Sequence, residues 1–384
     1  MEGIVAATLS LSGWLLLMLA AIGSVYTVAA AIVFRRFFAK QESIVRRSDA
    51  VTLLKPLYGP EPLLEANLAS FLAQDHGGPI QLLCGVERDD DPAIEAVESL
   101  RRSWVNAAIA LVISPARHGA SGKISNLINM DGHALHPILV LSDSDIVATP
   151  DYLARVLAAL DAPGVGAVTV LFRGRGDAGF WSRLGAAGLS YQFLPGAGFA
   201  VALGLAHPCL GSTIALSRAT LDAIGGFARF ADVLADDYAI GEAIRALGLK
   251  VAVPPLLVTH ASAETSFAEL WRHELRWGAT VRDVVPVAYA ASVIGMPLPL
   301  ALLGTLMLPA PVAGGILVLV ALVCRVLLAR TIDSQVGTKT ASIWLLPLRD
   351  CLTLVVFVAA FFTRSIDWRG RRLRMTADGR MAAR

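Results

Sequence analysis

The chain has 384 residues, of which 55% are hydrophobic and only 17% charged, with a formal net charge of +2. A soluble domain carries about 25% charged residues, so a good part of this sequence belongs in lipid. No Lys-rich stripe and no interleaving of aromatic with basic residues occurs, which argues against a nucleic-acid partner. The four cysteines, Cys84, Cys209, Cys324 and Cys351, form no CxxC pair, and this spacing speaks for a reducing setting over a disulfide framework or a zinc site.

Residues 4–34 carry no charge, and a bilayer needs only about 20 apolar residues. The basic residues follow this stretch, at Arg35, Arg36, Lys40, Arg46 and Arg47. That order predicts an anchor rather than a cleaved signal peptide, and it puts the next domain in the cytoplasm. From Val51 to Val253 short apolar runs alternate with amphipathic segments. Val51–Leu54, Ile80–Val86, Ile109–Ile113, Ile138–Leu141 and Val165–Leu171 are predicted strands; Glu61–Ala73, Pro92–Arg101, Lys123–Asn129 and Pro150–Leu160 are predicted helices. The alternation predicts an α/β domain with a mostly parallel sheet, whose ligands bind beyond the carboxyl ends of strands. Leu184–Leu210, nearly uncharged and rich in Gly and Ala, fits buried core and a lipid-facing interfacial segment equally well.

Three apolar stretches follow. Val284–Leu308 is expected to cross the membrane, and Pro309–Leu328 to cross with Arg325 snorkelling to the interface. Ser342–Phe362 is interrupted by Arg349 and Asp350 and is expected to be re-entrant or interfacial. The basic tail, with Arg364, Arg369, Arg371, Arg372 and Arg374, then stays cytoplasmic. The expected division is an anchor at 1–36, a catalytic domain at 48–283, membrane or interfacial helices at 284–364 and a tail at 365–384.

Chemistry concentrates at four places. The predicted strand Ile138–Leu141 runs into Ser142-Asp143-Ser144-Asp145, two carboxylates at i, i+2. Such a pair suits a divalent cation, Mg²⁺ or Mn²⁺, shared with substrate phosphates, though an acidic turn has the same sequence. Asp89-Asp90-Asp91 precede Pro92, where Asp91 fits either a helix cap or a nucleotide contact. Asp236-Asp237 open a further predicted helix, and Asp237 is the candidate general base. On Trp271–Trp277, His273, Arg276 and Trp277 share one helical side; Arg suits bidentate phosphate binding and Trp gives a flat apolar wall, while an amphipathic helix lying on the membrane is the plainer reading.

These aspartates, followed by a HisxxArgTrp sequence, resemble the ceramide glucosyltransferases, GT-A-fold enzymes of glycosyltransferase family 21. The likeness runs from Leu54-Lys55-Pro56-Leu57 through Asp90-Asp91-Pro92, Lys123–Leu127 and Asp143-Ser144 to Asp237-Tyr238 and Arg276-Trp277. Arg117–Ala120, Ser125–Met130 and Ala235–Gly241 are most similar to the bacterial hopanoid-biosynthesis-associated members. The resemblance implies that Asp91 and Asp143 contact the nucleotide-sugar, that Asp145 and Asp143 hold the metal, and that Asp237 is the base; Lys123 fits a place near the diphosphate or uracil and an ordinary surface lysine equally well. Arg276 and Trp277 match the end of the last motif. His273 departs from it, standing where the family has Gln or Arg. His260 is expected to be a structural histidine first and a further metal ligand second. The implied protein is a multi-pass enzyme of the bacterial inner membrane. It would move GlcNAc or Glc from a UDP-sugar, with inversion, to a membrane lipid: a hopanoid polyol such as bacteriohopanetetrol or, alternatively, ceramide. A catalytically silent lipid-binding scaffold is the non-enzymatic alternative.

Overall fold

A computed structural model gives the fold and describes residues 2–40, 47–309, 312–363, 366–368, 371–375 and 381–383. Arg46, Arg364 and Arg369, part of the charge argument above, lie outside them. The chain forms two compact units of three segments each: Met1–Lys40, Ala178–Leu203 and Glu264–Ile366 in one, and Gln41–Asp177, Gly204–Ala263 and Asp367–Arg384 in the other.

In the second unit the apolar runs become strands: β1 (Val51–Pro56), β2 (Ile80–Val86), β3 (Ala108–Ile113), β4 (Ile138–Leu141), β5 (Ile146–Val147), β6 (Val165–Val168), β7 (Leu171–Gly176), β8 (Ile214–Ser217), β9 (Lys250–Ala252) and β10 (Leu257–Ser262). Seven of them make one sheet in the order β3-β2-β1-β4-β8-β6-β9. β1 to β4 are parallel to one another, whereas β8 runs antiparallel to both β4 and β6. Helices cover the sheet, as continuous burial along β1 demands. Leu54, Leu83, Leu139 and Leu141 pack with Ile124, Leu127 and Met130 from the Gly122–Asp131 helix and with Ile240 and Ile244 from the Asp236–Ala246 helix. Each such side chain contributes about 1.5–3 kcal/mol by leaving water.

The single strand expected at Val165–Leu171 is two strands in different sheets. β6 joins the large sheet, while β7 pairs with β10 in a small one, β5-β10-β7. The run is apolar but for Thr169, so composition hides the change of partner at Thr169-Val170.

The first unit is helical. The Glu2–Phe38 helix buries Leu17, Ala20 and Phe34 and packs against Pro297–Leu306 and Val312–Val336. Its other face leaves Leu11 and Val25 more than 70% exposed, which fits a surface made for lipid. Ala7–Phe38, Val312–Val336 and Ile343–Phe362 are long and apolar enough to cross a membrane. Pro286–Gly295 and Pro297–Leu306 form a pair bent by 71°, where one continuous crossing was expected; Pro297 lacks the N–H that would continue the helix. Phe180–Gly188 passes through a π-helical turn at Leu189–Phe193 into Leu194–Ala202 and belongs to this unit.

Arg325 does not snorkel. It is 1% exposed, and its Nε and Nη2 donate to the two Asp350 oxygens at 2.8 Å each, while Nη1 donates to the Tyr191 carbonyl at 2.8 Å. Arg349, next along the chain, pairs through both terminal nitrogens with Glu274. The two charges that interrupt Ser342–Phe362 are thus neutralised inside the protein, and the helix continues through them.

Candidate active site

The antiparallel run of β8 builds the site. Its first residue, Ile214, lies opposite Leu141 at the end of β4, so the loop before β8 meets the loop after β4. There the Asp143 N–H donates to the Gly211 carbonyl at 3.2 Å, and the Gly211 N–H donates to Asp237 Oδ2 at 3.0 Å. One residue, through its carbonyl and its N–H, therefore ties two aspartates that stand far apart in sequence. A Cβ on Gly211 would lie 2.6 Å from Asp143 Oδ2 and 3.1 Å from Lys123 Nζ, so the approach requires glycine.

Lys123 enters from the start of the Gly122–Asp131 helix, where Ser121 Oγ caps the Ile124 N–H. The loop before it is stitched to the approach to Asp236: the Ser121 N–H donates to the Ala231 carbonyl and the Ala120 N–H to Asp232 Oδ1, both at 2.8 Å. Lys123 Nζ then lies 2.7 Å from Asp143 Oδ1 and 3.3 Å from Asp236 Oδ2. Asp237 also accepts the Tyr238 N–H on Oδ1, at 2.8 Å.

β5 and β10 position the second carboxylate of the pair. Ile146 lies opposite His260, the Ala261 N–H donates to the Asp145 carbonyl at 2.7 Å, and His260 Nε2 stands 3.2 Å from Asp145 Oδ2. Ser144 Oγ donates to Glu61 Oε1 at 2.6 Å. Lys55, on β1, donates from Nζ to Ser142 Oγ and to the Asp143 carbonyl, both at 2.9 Å.

This is a crowd of acids around two buried lysines, and the proton affinities reflect it. Burial pushes Asp143 up despite its ion pair with Lys123. Burial and the neighbouring Asp236 raise Asp237 to about 6. Burial, followed by Asp145, raises Glu61 to about 7. Lys123 is pulled down by burial but pushed up further by Asp143, Asp236 and Asp237, and stays protonated. Burial brings Lys55 down to about 7 against the opposing pull of Asp143 and Asp145.

Among the described residues no three His, Cys, Asp or Glu form a ready-made metal cage. The donor set nevertheless fits a hard cation that keeps substrate phosphates as ligands, since such a cation needs only one or two protein groups. Asp145 and His260 converge, Asp143 stands two residues away, and Glu61 Oε2 is buried with no hydrogen-bond partner. Excess negative charge is what a divalent cation relieves.

The remaining candidates lie in two other places. Asp91, in the sheet-bearing unit, accepts the Gly59 N–H on both oxygens, at 3.0 and 3.1 Å, and the Ala93 N–H at 2.9 Å, so it caps a helix and ties down the loop after β1. His273, Arg276 and Trp277 lie on the Phe267–Val284 helix of the helical unit. That helix starts at Ser266, whose Oγ accepts the Glu269 N–H, while Glu269 reaches back to the Thr265 N–H. His273 Nδ1 pairs with the Glu264 carboxylate, and its ring meets Trp277 edge to face at 4.4 Å. The residue that departs from the motif is thus held by a carboxylate and in turn holds the tryptophan.

Lys55, Glu61 and Gly211 are absent from the sequence-derived set. Lys55 had a signal, a charge inside an apolar strand; Gly211 had none.

The family model for "Glycosyl transferase family 21" matches residues 15–381. The chain belongs to glycosyl transferase family 21. This family 21 chain is 26% identical over 231 residues to ceramide glucosyltransferase 1 of Caenorhabditis elegans, covering 59% of itself and 48% of that protein. It is 28% identical over 148 residues to the ceramide glucosyltransferase of Komagataella phaffii, covering 35% and 29%. It spans about half the length, or less, of these curated relatives. Among solved structures it resembles a mannosyltransferase of Pyrobaculum calidifontis in complex with GDP-Man and Mn2+, with a TM-score of 0.51, 18% identity, and 90% of this chain and 98% of that one covered. The fold is thus the expected GT-A-like α/β fold with apolar helices at both ends of the chain, and the family is one of sugar-transferring enzymes.

Proposed function

We propose that this chain transfers a hexosyl unit, Glc or GlcNAc, from a UDP-sugar to a hydroxyl of a membrane lipid, with inversion. The observation that carries the reading is Gly211, whose carbonyl and N–H tie Asp143, on the donor side, to Asp237, the acceptor-side base. Asp237 takes the proton of the attacking hydroxyl, and its carboxylate is aimed by two main-chain donors. Lys123 holds Asp143 and offers fixed positive charge beside the diphosphate. Asp145 and His260, with Asp143, would hold Mg²⁺ or Mn²⁺, which neutralises charge on the departing UDP. Family likeness and residue chemistry support a phosphate-binding role for Arg276 with Trp277 beside it; Asp91 supports the nucleotide by fixing the loop after β1.

The curated relatives favour a ceramide-type acceptor. The hopanoid polyol is the second reading, carried by the phrases Arg117–Ala120, Ser125–Met130 and Ala235–Gly241. Long apolar helices fit an enzyme of a bacterial inner membrane acting on an acceptor that stays in the bilayer. The test is UDP release by the purified full chain with UDP-Glc or UDP-GlcNAc, adding ceramide or bacteriohopanetetrol in turn. Asp237→Asn should abolish transfer while UDP binding survives. Full turnover in that variant would refute the base, and no UDP release with any lipid would favour the silent scaffold.

A further inference from the structure

We propose that Lys55 is a positioning residue for the donor-side carboxylates, pinning from β1 the peptide on which Asp143 and Asp145 turn. The inference rests on the donor-site reading above. β1 lies inside the sheet, between β2 and β4, and all six of its residues are buried. An apolar residue would serve the sheet better there, because an ammonium must be stripped of water to enter it. Lys55 is fully buried, yet its bonding capacity is spent. Nζ donates to Ser142 Oγ and to the Asp143 carbonyl at 2.9 Å each, and it sits 3.4 Å above the centre of the Phe71 ring.

The geometry at the carbonyl shows what the amine does. The other two donors to that oxygen, Ser142 Oγ and the Ile146 N–H, stand at 3.4 Å, near the limit of a hydrogen bond. Lys55 therefore supplies the short bond that sets the rotation of this peptide. From that peptide, one direction leads to the Asp143 carboxylate against Lys123, and the other to Ser144 on Glu61 and Asp145 beside His260. Without the pin, the carboxylates lose a shared reference. A displacement of 1 Å in such a group costs about 10²-fold in rate.

Lys55→Met keeps an unbranched side chain, one atom shorter, and removes the donor. In the full chain in detergent micelles, three quantities separate positioning from structure: the melting temperature, the affinity for Mn²⁺ in the presence of UDP (free Mn²⁺ read by electron paramagnetic resonance), and turnover. The expected result is an unchanged or higher melting temperature, Mn²⁺ affinity about tenfold weaker, and turnover lower by about 10²-fold. Wild-type Mn²⁺ affinity and turnover in Lys55→Met would overturn the inference, as would a variant that melts earlier or fails to fold, because the amine would then be structural. If the wild-type chain binds no Mn²⁺ with UDP, the donor-site reading itself falls, and this inference with it.

Discussion

Asp237 presents a carboxylate whose two oxygens each accept one main-chain N–H, from Gly211 and Tyr238, leaving the remaining lone pairs for an incoming proton. Its pKa, raised to about 6 by burial and then by Asp236, suits a base working near neutrality. The sign follows directly. The ionised form is active, so kcat/KM falls as pH drops through about 6, by tenfold per unit below it. Asp236→Asn removes a neighbouring negative charge and should move that limb to lower pH. A limb that stays in place in this variant would show that another group is titrating. Gly211 makes a second prediction at the same place. Gly211→Ala puts a methyl group 2.6 Å from Asp143 Oδ2, forcing apart the two aspartates that the glycine joins. UDP release should fall by about 10²-fold, the effect of a displacement on the order of 1 Å.

Among the elements, the strands that the sequence announces are those written as short, mostly apolar runs. β1, β2 and β4 are mostly apolar runs, and the acids behind β2 and β4 could be anticipated. β8 and β5 are not among the predicted strands. Their effect is a matter of partners: β8 brings Gly211 to Asp143, and the pairing of β5 with β10 brings His260 to Asp145. Acidic clusters are local and therefore legible, whereas the glycine that joins them acts through long-range contacts with no local signature. The same holds in the helical unit, where Arg349-Asp350 looks like an interruption until Arg325, 25 residues earlier, supplies its partner. This pair yields a prediction. Asp350→Asn leaves a guanidinium buried without its counter-charge and should cost about 3–5 kcal/mol, read as an earlier melting transition in micelles. The double variant Arg325→Met, Asp350→Leu removes both charges and should recover most of that loss, since well-packed apolar replacements of buried pairs are often neutral or stabilising.

At the scale of the whole molecule, the chain is interleaved. Each unit is assembled from three segments, so neither is a contiguous module that could be cut away. The apolar helix at Glu2–Phe38 shows why. Its buried face, with Leu17, Ala20 and Phe34 at 5% exposure or less, is covered by Pro297–Leu306 and Val312–Val336, from the far end of the sequence. Ala20 packs with Leu300 and Ala301 in one small cluster. Phe180–Gly188 likewise packs on Phe267–Val284 and Leu346–Phe362. A chain ending at Ala263 keeps the acidic site (Lys55, Lys123, Asp143, Asp145, Asp236, Asp237 and His260) but strips both helices of these partners. The bared faces are apolar and contiguous, the condition under which helices associate indiscriminately. The 1–263 form should therefore aggregate on extraction into detergent, while the full chain elutes as a single species in size-exclusion chromatography. If the shortened form instead elutes as one species and binds UDP, the sheet-bearing unit folds without the helical one, and the interleaving is only a matter of connectivity.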